Sequence, residues 1–262
     1  MKKILQISNF IALVITLALN YLSNTGIFNG NTMASVSARY QNLFTPAGYA
    51  FSIWGIIYLG LSAFVIYQGR SIFREVTDDE IVNEVGWWFI VSCTANSFWV
   101  LAWLYDYTGL SVLIMLLLLF SLVQIVIRTG MELTVVPLKK IAFVWWPFAI
   151  YTGWVTLAAV ANISAYLTKI KWDGFGISEL SWAIIMICVA GIINLSMIWI
   201  RNMREFAFVG IWALMAIAVA NQNKIQSVVI TAFVVSIILF LNISIHAFKN
   251  RGQFLKRVKV IL

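Results

Sequence analysis

The sequence predicts an all-α fold, a polytopic transmembrane helical bundle of about eight spans. Three observations carry this. Of 262 residues, 62% are apolar and 11% charged, more apolar material than a soluble domain of that size buries. The apolar runs are about 20 residues long, the length of a helical crossing, and they lack the short alternating pattern of barrel strands. The 18 basic and 10 acidic residues all fall between the runs.

Taken in order, Met1-Lys2-Lys3 precedes an apolar run over 4–22. No small-x-small cleavage site follows, so this reads as an uncleaved first span. Residues 23–48 hold Asn24, Gly26, Asn29, Gly30 and Pro46, which is turn chemistry. Span two covers 49–68. The loop 69–84 carries Arg70, Arg74 and the acidic run Asp78-Asp79-Glu80. Span three covers 85–105, and Asp106, Tyr107 and Thr108 turn tightly into span four, 109–127. Span five, 141–168, exceeds the bilayer core, so it tilts or starts at the interface, and Pro147 is placed to kink it. Spans six, seven and eight cover 180–200, 206–221 and 225–248. The tail 249–262 is basic and partly apolar; an anionic membrane surface and plain solvent are both open as its surroundings.

The net charge of +8 invites a nucleic-acid reading, but the basic residues sit between spans and act as topology determinants. With the N-terminus in the cytoplasm, the outer segments carry Arg39, Lys169, Lys171 and Lys224, and the inner segments the other 14 of the 18. Eight spans then put both termini inside, in a plasma (inner) membrane protein. No nucleic-acid partner is expected. Cys93 and Cys188 lie within spans as packing residues, and His246 has no ligating neighbour in sequence, so neither a disulfide nor a metal site follows. The absence of Asp, Glu, Lys and Arg within the spans argues against a proton- or ion-coupled carrier and against a charged catalytic pair. Ser92, Asn96, Gln124, Asn162, Asn194 and Asn242 read mostly as helix–helix glue.

The most informative stretch runs from Trp145 to Tyr166. On a helix Trp154, Ala158 and Asn162 fall at i, i+4 and i+8 and share a face. An indole, a gap and an amide so stacked form the wall of a pocket or the packing surface for a neighbouring helix; both readings are open. Of the twelve tryptophans, Trp87, Trp88, Trp145, Trp146 and Trp182 lie near span ends, as an interfacial belt would. Trp54, Asn96, Trp99, Trp154, Ala158 and Asn162 instead lie deeper, within about 7 to 21 Å of the outer span ends at 1.5 Å per residue. An apolar cleft with a few placed polar groups is the usual form of a small-molecule site.

Three separated motifs carry a resemblance. Pro46, Trp54 and Tyr58 make P-x7-W-x3-Y, Asn96 and Trp99 make N-x2-W, and Tyr151, Trp154, Val155, Ala158 and Asn162 make Y-x2-W-V-x2-A-x3-N. In this order, on these spans, the chain resembles the TspO family of tryptophan-rich sensory and translocator proteins. The resemblance covers 1–168, the family's five-helix core; 169–248 is an added three-helix extension and 249–262 a cytoplasmic tail. It implies a pocket for flat hydrophobic ligands such as porphyrins, and sterols in some members. Trp54, Asn96, Trp154 and Ala158 are implied to line it, with Trp99 and Asn162 beside them and Pro46 and Tyr58 on the lid side. Some bacterial members promote light-dependent porphyrin breakdown with the indoles matching Trp54 and Trp154.

This chain departs from the pattern in three places. Thr45 replaces the first of two prolines, Pro147 lies three residues before the usual position, held here by Ile150, and the first loop lacks an aromatic pair that covers the pocket in relatives. The expected function is a ligand-binding sensor or translocator with no catalytic residue, cofactor or metal. A light-dependent porphyrin-degrading enzyme and a membrane scaffold are the alternatives. The expected partners are a porphyrin-like ligand and the lipid bilayer, with oligomers left open.

Overall fold

The structure is a computed structural model that describes residues 2–76 and 80–250. Asp78 and Asp79 of the acidic run, and residues 251–262 of the tail, lie outside the described residues. The helices are α1 Lys2–Leu22, α2 Met33–Arg39, α3 Ile53–Gly69, α4 Ile81–Val85, α5 Trp88–Leu104, α6 Thr108–Arg128, α7 Leu138–Lys140, α8 Trp146–Lys169, α9 Glu179–Arg201, α10 Arg204–Asn221 and α11 Gln226–Lys249. No strand occurs among the described residues. This is the all-α bundle the composition demands, because in hydrocarbon a chain has to satisfy its own backbone polar groups.

Among the described residues seven helices are long and apolar enough to cross a membrane: α1, α3 with its flanking turns, α6, α8 with the turns before it, α9, α10 and α11. α5 has 17 residues, about 25 Å at 1.5 Å per residue. It is shorter than the expected 85–105 because Gly86, at φ 56°, breaks the chain between α4 and α5. It nevertheless runs the full depth. At one end Glu84 pairs with Lys140 at 2.9 Å and its carbonyl accepts from Arg128. At the other, the α5–α6 turn carries Asp106, which pairs with Lys169 at 3.1 Å. Eight helices therefore run between two ends, one holding Arg128, Lys140 and Arg201, the other Arg39, Lys169 and Lys171.

The first five long helices close a ring, with α1 on α5, α5 on α6, α6 on α8, α8 on α3, and α3 back on α1. α10 packs on α8 and on the turn Gly48–Ser52 that leads into α3, and α9 and α11 cover α10 from outside. One hydrophobic core runs without interruption from Leu5 to Ile243, so the last three helices belong to the same packed body as the ring.

Small residues set the crossings. Gly60 touches Pro147, where a Cβ would lie 3.1 Å from the ring. Gly153 of α8 faces the Phe206 backbone of α10, and a Cβ there would sit 3.0 Å from the Phe206 carbonyl oxygen. Pro147 stands in the first turn of α8, directly after one widened turn, Ile141–Trp145, where its missing N–H is accommodated.

Of the six polar residues read as interhelical glue, Asn96, Asn162 and Asn242 reach across to another helix. Ser92 bonds the Phe89 carbonyl and Asn194 the Ala190 carbonyl, both within their own helices. For these two the reason is geometric: a short side chain finds the carbonyl one turn back before it finds another helix.

Gly153→Val should force α10 away from α8 and destabilise the bundle by about 1–3 kcal/mol. Thermal denaturation in detergent measures it; Gly55→Ala, where added carbon meets open space, should shift the midpoint far less.

Candidate functional site

Trp54 stands where α3, α5 and α8 converge. Its ring packs on Tyr58 (centroids 5.4 Å, nearly parallel), on Trp99 (6.1 Å, tilted), and edge-on with Tyr151 (5.8 Å) and Trp154 (6.4 Å). Edge-to-face and offset contacts are the favoured aromatic arrangements. The three indoles expected to meet therefore do meet.

Hydrogen bonds fix the rings. Trp99 Nε1 donates to Asn162 Oδ1 at 2.7 Å, and Asn162 Nδ2 donates to Ser111 Oγ at 2.8 Å, so one amide ties α5, α8 and α6. Asn96 Nδ2 donates to the Tyr151 hydroxyl at 3.0 Å, and Asn96 Oδ1 accepts from Asn20 Nδ2 at 2.7 Å. Trp154 is 3% exposed, yet its indole N–H has no partner. The buried Tyr58 hydroxyl, beside Asn96, completes no hydrogen bond either.

A cavity of about 60 Å³ opens beside this cluster. Trp54, Trp99, Trp154, Ala158, Asn162 and Pro46 line it. Ala158, Ala161 and Ala165, on one face of α8, leave the space that larger side chains would fill. Two expected members lie elsewhere. Asn96 is fully buried against α1 and α8, with both ends of its amide engaged, so it positions Tyr151 and does not line the void. Tyr58 lies one turn below Trp54 inside the ring and takes no part in the lid.

The lid is α2 with residues 40–47. A reciprocal cap starts α2: Thr32 Oγ1 accepts from Ser35 N, and Ser35 Oγ accepts from Thr32 N. The first loop was expected to be turns alone and to lack aromatic cover; instead Tyr40 and Phe44 close the cavity. Asp106, at φ 66°, holds the lid down. It accepts from the Tyr40 hydroxyl at 2.8 and 2.9 Å, pairs with Lys169, and lies 3.8 Å from Arg39. Asn31 adds a bond to the Leu104 carbonyl at 2.8 Å.

The extension completes the site. Ala213 and Ile217 of α10 line the cavity. Ala216 O accepts from Ala47 N at 3.0 Å, Trp212 Nε1 donates to Ala50 O at 3.2 Å, and Asn221 Nδ2 donates to Leu43 O at 3.0 Å. The small side chain of Ala216 lets the lid backbone approach. Trp103, one turn beyond Trp99, also lines the cavity; its i+4 spacing was the signal for it. Among the described residues no cluster of His, Cys, Asp and Glu is suited to a metal.

Fold and site together define an integral membrane protein with a small, aromatic-walled cavity under a lid at one end of the bundle. The family model described as TSPO-like protein matches residues 6–245, and the chain belongs to that family. The match includes the last three helices, beyond the 1–168 over which the motifs alone carried a resemblance. No curated protein and no solved structure gave a significant match.

Exposed ion pairs contribute about 0.2–1 kcal/mol each, so Asp106→Asn should loosen the lid without unfolding the bundle. Amide hydrogen exchange over 33–45 should quicken severalfold while that of α8 stays as in the wild type.

Proposed function

We propose that the protein is a membrane ligand-binding sensor or translocator whose lidded cavity takes a flat hydrophobic molecule of porphyrin or related type. The single observation that supports this most is the orphaned indole N–H of Trp154, a cavity-lining residue 3% exposed. A buried donor left unpaired costs about 1–3 kcal/mol. A ligand carbonyl, carboxylate or ring nitrogen would relieve that cost. Trp54 and Trp99, already stacked with Tyr58 and Trp103, supply a rigid aromatic wall, and Ala158 the clearance.

The cavity as it stands is small and only partly enclosed. An engineered cavity of about 150 Å³ admits one benzene, and ligand sites commonly measure about 300–1,000 Å³. At about 60 Å³ the site takes a macrocycle only after the lid and its aromatic side chains move. Binding on this reading is coupled to lid opening, a change suited to signalling. The ends bearing Arg128, Lys140 and Arg201 face the cytoplasm, together with both termini, and the lid faces outward from the plasma membrane.

A light-dependent breakdown of the bound ring is a second reading. It draws on the contact of Trp54 with both Trp99 and Trp154, and illumination of the purified complex separates it from plain binding. Bleaching no faster than in empty micelles removes it.

Protoporphyrin should quench tryptophan fluorescence saturably. Trp154→Phe, which removes the N–H, should weaken binding about tenfold, the equivalent of about 1.4 kcal/mol, and Ala158→Phe should weaken it at least as much. Wild-type affinity in both variants would mean the ligand sits elsewhere.

A further inference from the structure

A second cleft lies at the same end of the molecule, outside the lid. It has about 340 Å³ of free volume between lid residues 41–44, the end of α8, the loop 171–177 and the start of α9. Residues 41–44 belong to the lid of the site above, and Phe44 lines both cavities; none of the other residues of this lining lines the cavity above. The motifs of the five-helix core say nothing about it, because the loop and α9 build most of its wall.

The wall is held in place. Trp182 Nε1 donates to the Gly174 carbonyl at 2.9 Å. Gly174, at φ 68°, lies so close that a Cβ would come within 3.2 Å of that nitrogen. Trp172 packs on Trp182 at 5.3 Å and takes Phe175 edge-on at 5.2 Å. The floor is apolar, from Leu167, Ile177 and Met186.

The charged groups of the lining are Lys171, Asp173 and Glu179. The two carboxylates are anchored. Asp173 Oδ1 accepts from Phe175 N at 3.1 Å, and Glu179 Oε1 accepts from Leu43 N at 3.0 Å. Each keeps a second oxygen. All three charged groups are exposed, but the carboxylates are held by backbone N–H groups, whereas Lys171 carries its charge at the end of a flexible four-carbon stem. Fixed negative charge beside indole faces favours a cation, since the ring quadrupole attracts positive charge.

We propose that this cleft is a second ligand site, taking a planar aromatic cation of two or three fused rings. The volume suits it: one benzene needs about 150 Å³, so the cleft admits such a molecule and the inner cavity does not. Trp172 and Trp182 contact its rings, and Glu179 and Asp173 its charge.

The test is calorimetric titration of the full chain in uncharged-detergent micelles, blanked against micelles alone. The probes are 9-aminoacridine, a three-ring cation at neutral pH, and anthracene-9-carboxylate, an anion on a similar frame. The cation should bind saturably and the anion at least about tenfold more weakly. Glu179→Gln keeps an acceptor for Leu43 N and removes the charge; it and Trp172→Leu should each weaken the cation about tenfold. Trp154→Leu, in the inner cavity, should leave its affinity unchanged. Absence of saturable binding overturns the proposal, as does equal affinity for the anion. So does wild-type affinity in both cleft variants, or loss of binding in Trp154→Leu, which would put the dye in the inner cavity. The protoporphyrin titration reads the inner cavity separately, so either site can fail without the other.

Discussion

The hydrogen bond from Trp99 to Asn162 is the contact on which the rest of the site depends. In the bilayer core neither group finds water, and separation leaves both unsatisfied. Asn162 uses its other end on Ser111, so its amide orientation is determined and three helices are fixed at one level. With the Trp99 plane set, Trp54 packs against it, and Trp54 in turn sets Tyr58, Tyr151 and Trp154. Interhelical hydrogen bonds in membranes average about 0.6 kcal/mol, so the bond matters for position more than for stability. It also explains an asymmetry: the indole of Trp99 is spent on the protein, and that of Trp154 is left over.

A second constraint acts at the lid. Residues 40–47 bury Phe44 in the core and pack Leu43 against it, and the lid and the turn that follows are also held at their edges. Asp106 grips Tyr40 from the α5–α6 turn, Glu179 takes the Leu43 N–H, and α10 takes Ala47, Leu43 and Ala50 through backbone or side-chain bonds. The Leu43–Glu179 bond is exposed and the Tyr40–Asp106 bonds are half-buried, so water competes for their partners. The lid is therefore held more loosely on its Asp106 and Glu179 side than along α10, where Ala50, Ala216 and Asn221 are buried.

The fold was legible because the bilayer sets helix length and charge marks the ends. The eight helices sit where apolar runs and basic loops put them. The misses were local or tertiary. α2 hides in a polar loop, yet Thr32 and Ser35 spell its cap. Gly86 shortens α5 by a positive φ that composition does not reveal. In the site, Trp54, Trp99, Trp154, Ala158 and Asn162 were legible from helical spacing and motif order, and Trp103 was legible on the same grounds but passed over. A further signal was also present: Gln6, Asn9, Thr16 and Asn20 fall on one face of α1, and all four are buried. Asn20 engages Asn96 on that face, which is why Asn96 is not free for a ligand. Tyr40, Phe44, Ala213 and Ile217 were not legible, because nothing local says that a loop and the seventh long helix meet over a cavity made by the others.

The bond between Leu43 and Asn221 joins residues 178 positions apart in the chain, and that between Ala50 and Trp212 spans 162. The roof and one wall thus wait for each other across most of the polypeptide. During synthesis the five-helix ring can assemble in the bilayer while its mouth still gapes, and only the arrival of α10 seals it. A nascent chain halted before residue 217 would present its indoles to whatever the membrane holds, so competence to exclude the wrong guest is acquired last.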